Sequence, residues 1–346
     1  MAIIDKPSDF FNTKLYTGNG STQSITGVGF QPDWTWVKKR NGAVSHQLID
    51  VIRTPYKRLQ SNENSAEAVD GSPYNYFKTF DNDGFTIGTG AEINGNSDTF
   101  ASWNWKAGTS FTNDASSTGI GTIDSSGSAS NTAGFSIVSY SGASGGGSIK
   151  HGLSVKPDIV LIKCRSATAN WLFTTDIIDG SKDYLFLNQT NAKNNLTTAL
   201  PTSSVFTVSG DDDQGENGKT YIAYCFNSVQ GYSKFGSYVG NNSSAGVFVY
   251  TGFKPAFIMI KRTDSTADWR IYDNKRAGYN NKNYYLEPNT SDAEGTTDSG
   301  SNWDMLSNGF KFYTSEAEIN GSGTYIYMAF AENPFTSSAG TPVTAR

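Results

Sequence analysis

Apolar positions along this chain come in short runs, not in helical stripes. Ile159-Val160-Leu161-Ile162 and Phe257-Ile258-Met259-Ile260 are continuous, whereas the stretch from Thr99 to Trp105 alternates. Runs of this length, rich in β-branched and aromatic residues and bounded by Gly, Asn and Ser, predict strands. No amphipathic helix stands out, and brief helical character is expected only around Ala66 to Asp70. The pattern predicts an all-β chain.

The runs recur in order. Pro32-Asp33-Trp34-Thr35-Trp36-Val37-Lys38 matches Pro157 to Lys163 and Pro255 to Lys261, with the same Pro-to-Lys spacing. A closing run follows in each copy: Thr99 to Trp105, Thr220 to Phe226, and Thr324 to Phe330. Before each stands an Asn-Gly pair (Asn94-Gly95, Asn217-Gly218, Asn320-Gly321), a hairpin-turn signal. Upstream lie Phe85-Thr86-Ile87, Val205-Phe206-Thr207 and Phe310-Lys311-Phe312 as partner strands. The openings align Tyr16, Tyr140 and Tyr238, and the middle strands align His46 with Trp171 and Trp269. The division is an N-terminal arm (1–10), repeat 1 (11–108), a Gly/Ser/Thr-rich linker (109–133), repeat 2 (134–230), repeat 3 (231–335) and a C-terminal tail (336–346). Within the linker, Ile120 to Ile123 is a candidate edge strand, and repeats 2 and 3 are expected to pack closely.

Side chains alternate between the two faces of a strand. One face of the closing strands carries Trp103 and Trp105, then Ile222, Tyr224 and Phe226, then Ile326, Met328 and Phe330. The opposite face is also rather apolar in copies 2 and 3. A sheet with one wet face alternates cleanly, so these strands are expected to be covered on both sides. The second cover is a long loop, a neighbouring repeat or another subunit. The expected fold is a tandem array of β-sandwich or jelly-roll-like units, and a homo-oligomer is expected from the spare apolar faces.

Composition narrows the function classes. Charged residues are 17% of the chain and the formal charge is −5, which argues against the basic surface that nucleic acid requires. No apolar run is long enough for a transmembrane helix, so no membrane insertion is expected. Met1 to Phe10 has no core for a signal peptide, and synthesis in a host cytoplasm is expected. Cys164 and Cys225 are expected as two free, buried thiols.

The search for chemistry gives little. His46 and His151 have no metal-ligand spacing around them; His46 reads as a packing residue and His151 as a solvated turn residue. Asp81-Asn82-Asp83-Gly84 lacks the further ligands of a calcium loop, and Asp211 to Glu216 reads as a solvated hairpin tip. Glu92, Glu316 and Glu318 are weak candidates for glycan cleavage. No catalytic residue, metal or cofactor is expected. The richest patch is Trp269, Tyr272, Tyr279, Tyr284 and Tyr285 with Asp273, Asn274 and Arg276, which stands as the candidate contact for a host surface glycan or a partner.

Certain motifs resemble a family of uncharacterised repeat proteins from marine bacteriophages. They are Tyr16-Thr17-Gly18-Asn19-Gly20-Ser21, Gly29-Phe30-Gln31-Pro32-Asp33, Tyr221 to Phe226, Gly231 to Tyr238, and Met328-Ala329-Phe330-Ala331-Glu332-Asn333-Pro334-Phe335. The resemblance covers nearly the whole chain. It implies a virion protein, either a tail fibre, a tail-associated protein or a head decoration, that assembles with other virion proteins, and the habits of phage fibres make a trimer the expected homo-oligomer. It brings no catalytic residues. A receptor-binding, lectin-like protein is the alternative, and a glycan depolymerase is a third reading.

Overall fold

The computed structural model describes residues 3–71, 76–276, 280, 284–296 and 303–343. Unit 1 contains β1 (Phe11–Thr17), β2 (Gln23–Thr26), β3 (Trp34–Lys39), β4 (Gln47–Asp50), β5 (Lys57–Arg58), β6 (Ala68–Val69), β7 (Phe77–Asp81), β8 (Gly84–Ile87), a one-turn helix α1 (Ala91–Asn94) and β9 (Thr99–Trp105). Next come β10 (Thr109–Asn113), α2 (Ala115–Thr118) and β11 (Ser125–Ser130). Unit 2 contains β12 (Phe135–Ser141), β13 (Gly147–Lys150), β14 (Ile159–Cys164), β15 (Trp171–Thr175), β16 (Asp183–Phe186), β17 (Asn194–Asn195), β18 (Val205–Val208) and β19 (Thr220–Phe226). Unit 3 contains β20 (Ser233–Val239), β21 (Phe248–Tyr250), β22 (Phe253–Arg262), β23 (Arg270–Asp273), β24 (Tyr284–Tyr285), β25 (Gly295–Thr296), β26 (Trp303–Leu306), β27 (Gly309–Phe312) and β28 (Thr324–Pro334).

One strand order appears in each unit. The large sheets run β1-β9-β3-β4, β12-β19-β14-β15 and β20-β28-β22-β23. The small sheets are β2-β8-β7, β13-β18 and β21-β27-β26. Among the described residues the named strands pair antiparallel, and the closing strand (β9, β19 or β28) lies between the opening strand and the Pro-to-Lys strand of its unit (β1 and β3, β12 and β14, or β20 and β22). A tyrosine tether in each unit holds the segment before the closing strand to the first strand of the large sheet. The hydroxyls of Tyr16, Tyr140 and Tyr238 donate to the carbonyls of Ile93, Gln214 and Ile319 at 2.8, 2.6 and 2.6 Å. Their rings stack on Phe100, Tyr221 and Tyr325 at 5.1, 5.2 and 5.0 Å.

Three local expectations are corrected. Residues 109–130, expected within a linker, form a β10–β11 hairpin that extends the large sheet of unit 2 by two strands. The small residues serve close approach of chains. A Cβ at Gly108 would lie 2.3 Å from the Ala129 carbonyl oxygen, and one at Gly127 would lie 2.1 Å from that of Ile137. Ala66 to Asp70 supplies the short strand β6, with no helix. Asn94-Gly95 is no hairpin tip: Gly95 has φ −56 and ends α1, and the buried Asn94 amide donates to the Gly88 carbonyl at 2.6 Å. Asn320 donates likewise to Thr314 at 2.6 Å, so the asparagine ties two loops together from inside.

Both faces of the large sheets are dry. Toward its own small sheet, each builds a private core, with Ile25, Phe85 and Phe100 in unit 1, Ile149, Phe206 and Tyr221 in unit 2, and Val249, Phe310 and Tyr325 in unit 3. The opposite faces of all three meet in one central cluster that includes Trp34, Trp105, Ile159, Phe226, Phe257 and Phe330. Rings touch across every boundary: Trp34 stacks on Tyr224 at 4.4 Å, Trp105 meets Phe257 at 5.7 Å, and Phe226 meets Phe330 at 6.1 Å. The centre retains a void of only about 10 Å³. Burying each such side chain stabilises by about 1.5–3 kcal/mol relative to exposure. The second cover of these strands is thus the neighbouring unit of the same chain. The N-terminal arm seals the assembly, with Ile4 in the central cluster and its backbone N–H donating to Gln230 at 3.2 Å.

Candidate functional site

The loop after the fourth long strand of each unit grips the next unit, and the grip is cyclic. The Trp171 indole N–H of unit 2 donates to the Gln60 carbonyl of unit 1 at 2.8 Å. The Trp269 indole of unit 3 donates to Phe186 of unit 2 at 3.0 Å. In unit 1 the same slot holds His46, whose Nε2–H donates to Glu287 of unit 3 at 2.9 Å while its Nδ1 accepts from the Trp36 indole at 2.8 Å. Each acceptor stands one residue past a leucine (Leu59, Leu185 or Leu286) that faces the fourth long strand. Burial and the nearby Lys38 charge push His46 well below its usual value, so it is a neutral donor–acceptor doing what an indole does elsewhere.

Seven residues beyond each acceptor, the chain crosses again. Backbone N–H groups of Glu67, Lys193 and Glu294 donate to the carbonyls of Arg165, Thr263 and Arg40 at 2.8, 2.8 and 2.7 Å. The lysine that ends each Pro-to-Lys motif sits beside this crossing. Lys163 Nζ donates to Asn64 at 3.1 Å and Lys261 Nζ to Thr190 at 3.2 Å, both across a boundary. All three also donate to the carbonyl of the following residue, Lys39, Cys164 or Arg262. Burial pushes each of the three ammonium groups down to about 8, which leaves them charged at neutral pH among carbonyl acceptors.

The seams and the private core of unit 3 bury part of the expected contact patch. Trp269 and Tyr272 are each about 1% exposed and cannot offer a ring face to a ligand. Tyr272 packs edge-on against Trp303 at 4.8 Å. Tyr279 lies outside the described residues. Tyr284 is exposed, while Tyr285 is half-buried under the Arg270 guanidinium, 3.7 Å from its ring centroid. Asp273 and Arg276 pair with each other at 2.7 Å, and Asp273 accepts from the Trp103 indole at 3.1 Å. Asp273 and Arg276, which made the stretch look solvated, are thus partnered inside a seam.

The remaining titratable candidates do not gather. His151, expected to be solvated, is buried: its Nδ1 accepts from Leu153 N–H at 3.1 Å, its Nε2 donates to the Thr202 carbonyl, and burial pushes it down to about 4. Asp83 accepts from the N–H groups of Gly27 and Gly29 and shapes a turn. Asp213 accepts from Asn170 N–H at 2.6 Å. Glu316 is held by Arg270 at 3.7 Å, and burial raises it; Glu92 belongs to unit 1, on α1. Cys164 and Cys225 are free and buried, and burial pushes the Cys225 thiol up to about 12. Among the described residues no cluster of three or more His, Cys, Asp or Glu is placed to hold a metal, and no helix is long and apolar enough to cross a membrane.

Exposed apolar surface gathers instead on the outer face of the small sheet of unit 3. Phe248, Tyr250 and Tyr313 are 45%, 60% and 38% exposed. Cross-strand pairing lines up Phe248, Lys311 and Asp304 in one row and Tyr250, Gly309 and Leu306 in the next. Alternation in β21 and β27 hides the signal within one copy; it emerges only when outward positions are compared between units. A separate open groove of about 410 Å³ lies beside β10, lined by polar residues with Phe111 and Lys150.

No curated protein matches the sequence. A family model described as Domain of unknown function (DUF7483) matches residues 6–334. That span runs from the N-terminal arm to the last residue of β28, so one family unit takes in the whole three-part ring, and the chain belongs to the DUF7483 family.

Proposed function

We propose that the chain is a non-enzymatic structural protein of a bacteriophage particle, tail- or fibre-associated, acting through contacts with other virion proteins. The observation that carries the reading is the closed ring. Three sandwich units share one dry centre, and side chains a catalyst would need (His46, Lys163, Lys261, the buried Asp–Arg pairs) are committed to holding the units together. A body of this kind resists deformation and presents loops at fixed positions, which is what a particle component requires. The sequence resemblance to marine phage repeat proteins supplies the setting. The apolar strand faces that favoured a homo-oligomer are covered within the chain, so a threefold-like form needs no second copy.

The test is electron cryomicroscopy and protein identification on purified particles of the phage that encodes the chain. The expected result is density for a three-lobed β ring at fixed sites, with the chain present in several copies. Absence from purified particles, or release of reducing sugar from host polysaccharide by the purified chain, would sink the reading.

A further inference from the structure

The three small sheets provide an internal comparison. Ile25, Ile149 and Val249 pair with Phe85, Phe206 and Phe310, which fixes the alignment of their outward neighbours. The two outward positions of the first strand are Ser24 and Thr26 in unit 1, Ser148 and Lys150 in unit 2, and Phe248 and Tyr250 in unit 3. The fold therefore works with short polar side chains at this place. Aromatic rings there serve no core, since the core of unit 3 lies on the other face of β21.

We infer that the outer face of the unit 3 small sheet binds uncharged carbohydrate, with Phe248 and Tyr250 as stacking platforms. The inference stands on this surface and not on the scaffold reading above. The Phe248 ring lies over Gly309, where an added Cβ would meet its edge at 3.0 Å, and the Tyr250 ring lies close to Gly252 at 3.6 Å by the same measure. Glycine beneath each ring leaves a flat shelf. The face of an aromatic ring is electron-rich, and the axial C–H groups of a pyranose carry the complementary partial charge. Polar groups stand at the edge of the shelf. The Tyr313 hydroxyl donates to Asp304, and Lys311 Nζ lies 5.6 Å from the Tyr313 ring centroid. Asp304 and Lys311 are cross-strand neighbours of opposite sign, so the edge offers hydrogen bonds without net charge.

The apolar area matches a small ligand better than a protein partner. At roughly 200 Å² per ring, the exposed fractions of the three aromatics amount to about 300 Å². A stable protein interface needs about 800 Å² per partner, whereas a patch of a few hundred Å² fits one or two sugar rings and has the size typical of a functional surface.

The experiment uses the intact chain, fluorescently labelled, on an array that includes cellohexaose, laminarihexaose and acidic polygalacturonate. Wild type is expected to bind neutral hexose chains. The double variant Phe248→Ser/Tyr250→Thr, which installs the unit 1 residues, is expected to bind at least tenfold more weakly with its melting temperature retained. Tyr250→Thr alone, removing the more exposed ring, is expected to weaken binding in the same direction. The control Ser24→Ala/Thr26→Ala is expected to bind as wild type. No binding to any glycan, binding retained by the double variant, or binding only to the acidic chain would overturn the inference.

Discussion

Among the described residues, two of the three seams carry ion pairs that cross from unit to unit, whereas at the third Lys193 pairs with Asp179 and Asp183 of its own unit. Between units 1 and 2, Asp50 accepts from Arg53 at 2.6 Å and from Tyr224 at 2.7 Å, and Arg165 reaches Glu67 at 3.0 Å. Between units 3 and 1, Asp273 accepts from Arg276 and Trp103, while Arg276 and Arg40 reach Glu294 at 3.1 and 2.8 Å. Between units 2 and 3 the corresponding places hold Thr175, Ile178, Met328 and Lys193. The crossing backbone bond and the indole or imidazole donor are nevertheless kept at all three. The frame of the ring thus comes from sheet pairing, these shared bonds and the apolar centre. A buried ion pair and an apolar substitute give similar net stability, because desolvation offsets much of the attraction. What charge adds is a penalty for a wrong partner: against an apolar face Asp273 would keep Arg276 of its own unit but lose the Trp103 donor, and Glu294 would lose Arg40.

The largest effect is expected where one charge is left alone. Arg276→Ala strands Asp273 in a dry seam and should cost about 3–5 kcal/mol. Ile178→Ala, at the matching place in the apolar seam, should cost about 1–2 kcal/mol because that side chain is only half-buried. Urea melts of both variants measure the difference; equal losses would mean that the two kinds of seam do not differ in this respect. A second comparison concerns what the seams share. Trp171→Phe and Trp269→Phe each remove one indole N–H and orphan a carbonyl of the preceding unit, at about 1–3 kcal/mol. The two costs should agree, since this donor belongs to the common frame. A much larger loss at Trp171 would tie the donor to the neighbouring ion network.

Strands and their faces were legible in the sequence because period-two alternation is local. The doubly apolar runs at Ile159 and Phe257 announced cover on both sides, but not its identity. Trp34 meets Tyr224 almost two hundred positions away, and no local pattern encodes that pairing. The linker reading failed because Gly, Ser and Thr were taken as flexible, where Gly108 and Gly127 permit strands to approach closely. Two rings of the contact patch, Trp269 and Tyr272, are buried, and for Trp269 the reason is electrostatic. Asp273 and Arg276 look solvated in a row of letters, yet each neutralises the other in a buried seam, and Trp269 goes in with them. Phe248 and Tyr250 were readable in principle, because the phenylalanines at 85, 206 and 310 align the small sheets and expose two rings where the other copies have Ser, Thr or Lys.

The smallest expected effect is also the sharpest. Asp273→Thr with Arg276→Ile gives the seam between units 3 and 1 the side chains found between units 2 and 3. Glu294 keeps Arg40, and the Trp103 indole loses its acceptor, so the net change should stay within about 1–2 kcal/mol of wild type. The pH profile then isolates the charge. Burial alone would raise the Asp273 carboxyl, but the Arg276 guanidinium, the Arg276 backbone N–H and the Trp103 indole hold it below its ordinary value. Near pH 4, where an unfolded aspartate titrates, the folded chain therefore binds fewer protons than the unfolded one. The contribution of Asp273 is complete above that pH and is lost as pH falls through the lowered folded value. Wild type should accordingly lose stability relative to the double variant below about pH 4. A gap that stays constant from neutral pH into that range would mean that Asp273 does not act as a charge in the folded chain, and the contrast between the seams would then be one of shape alone.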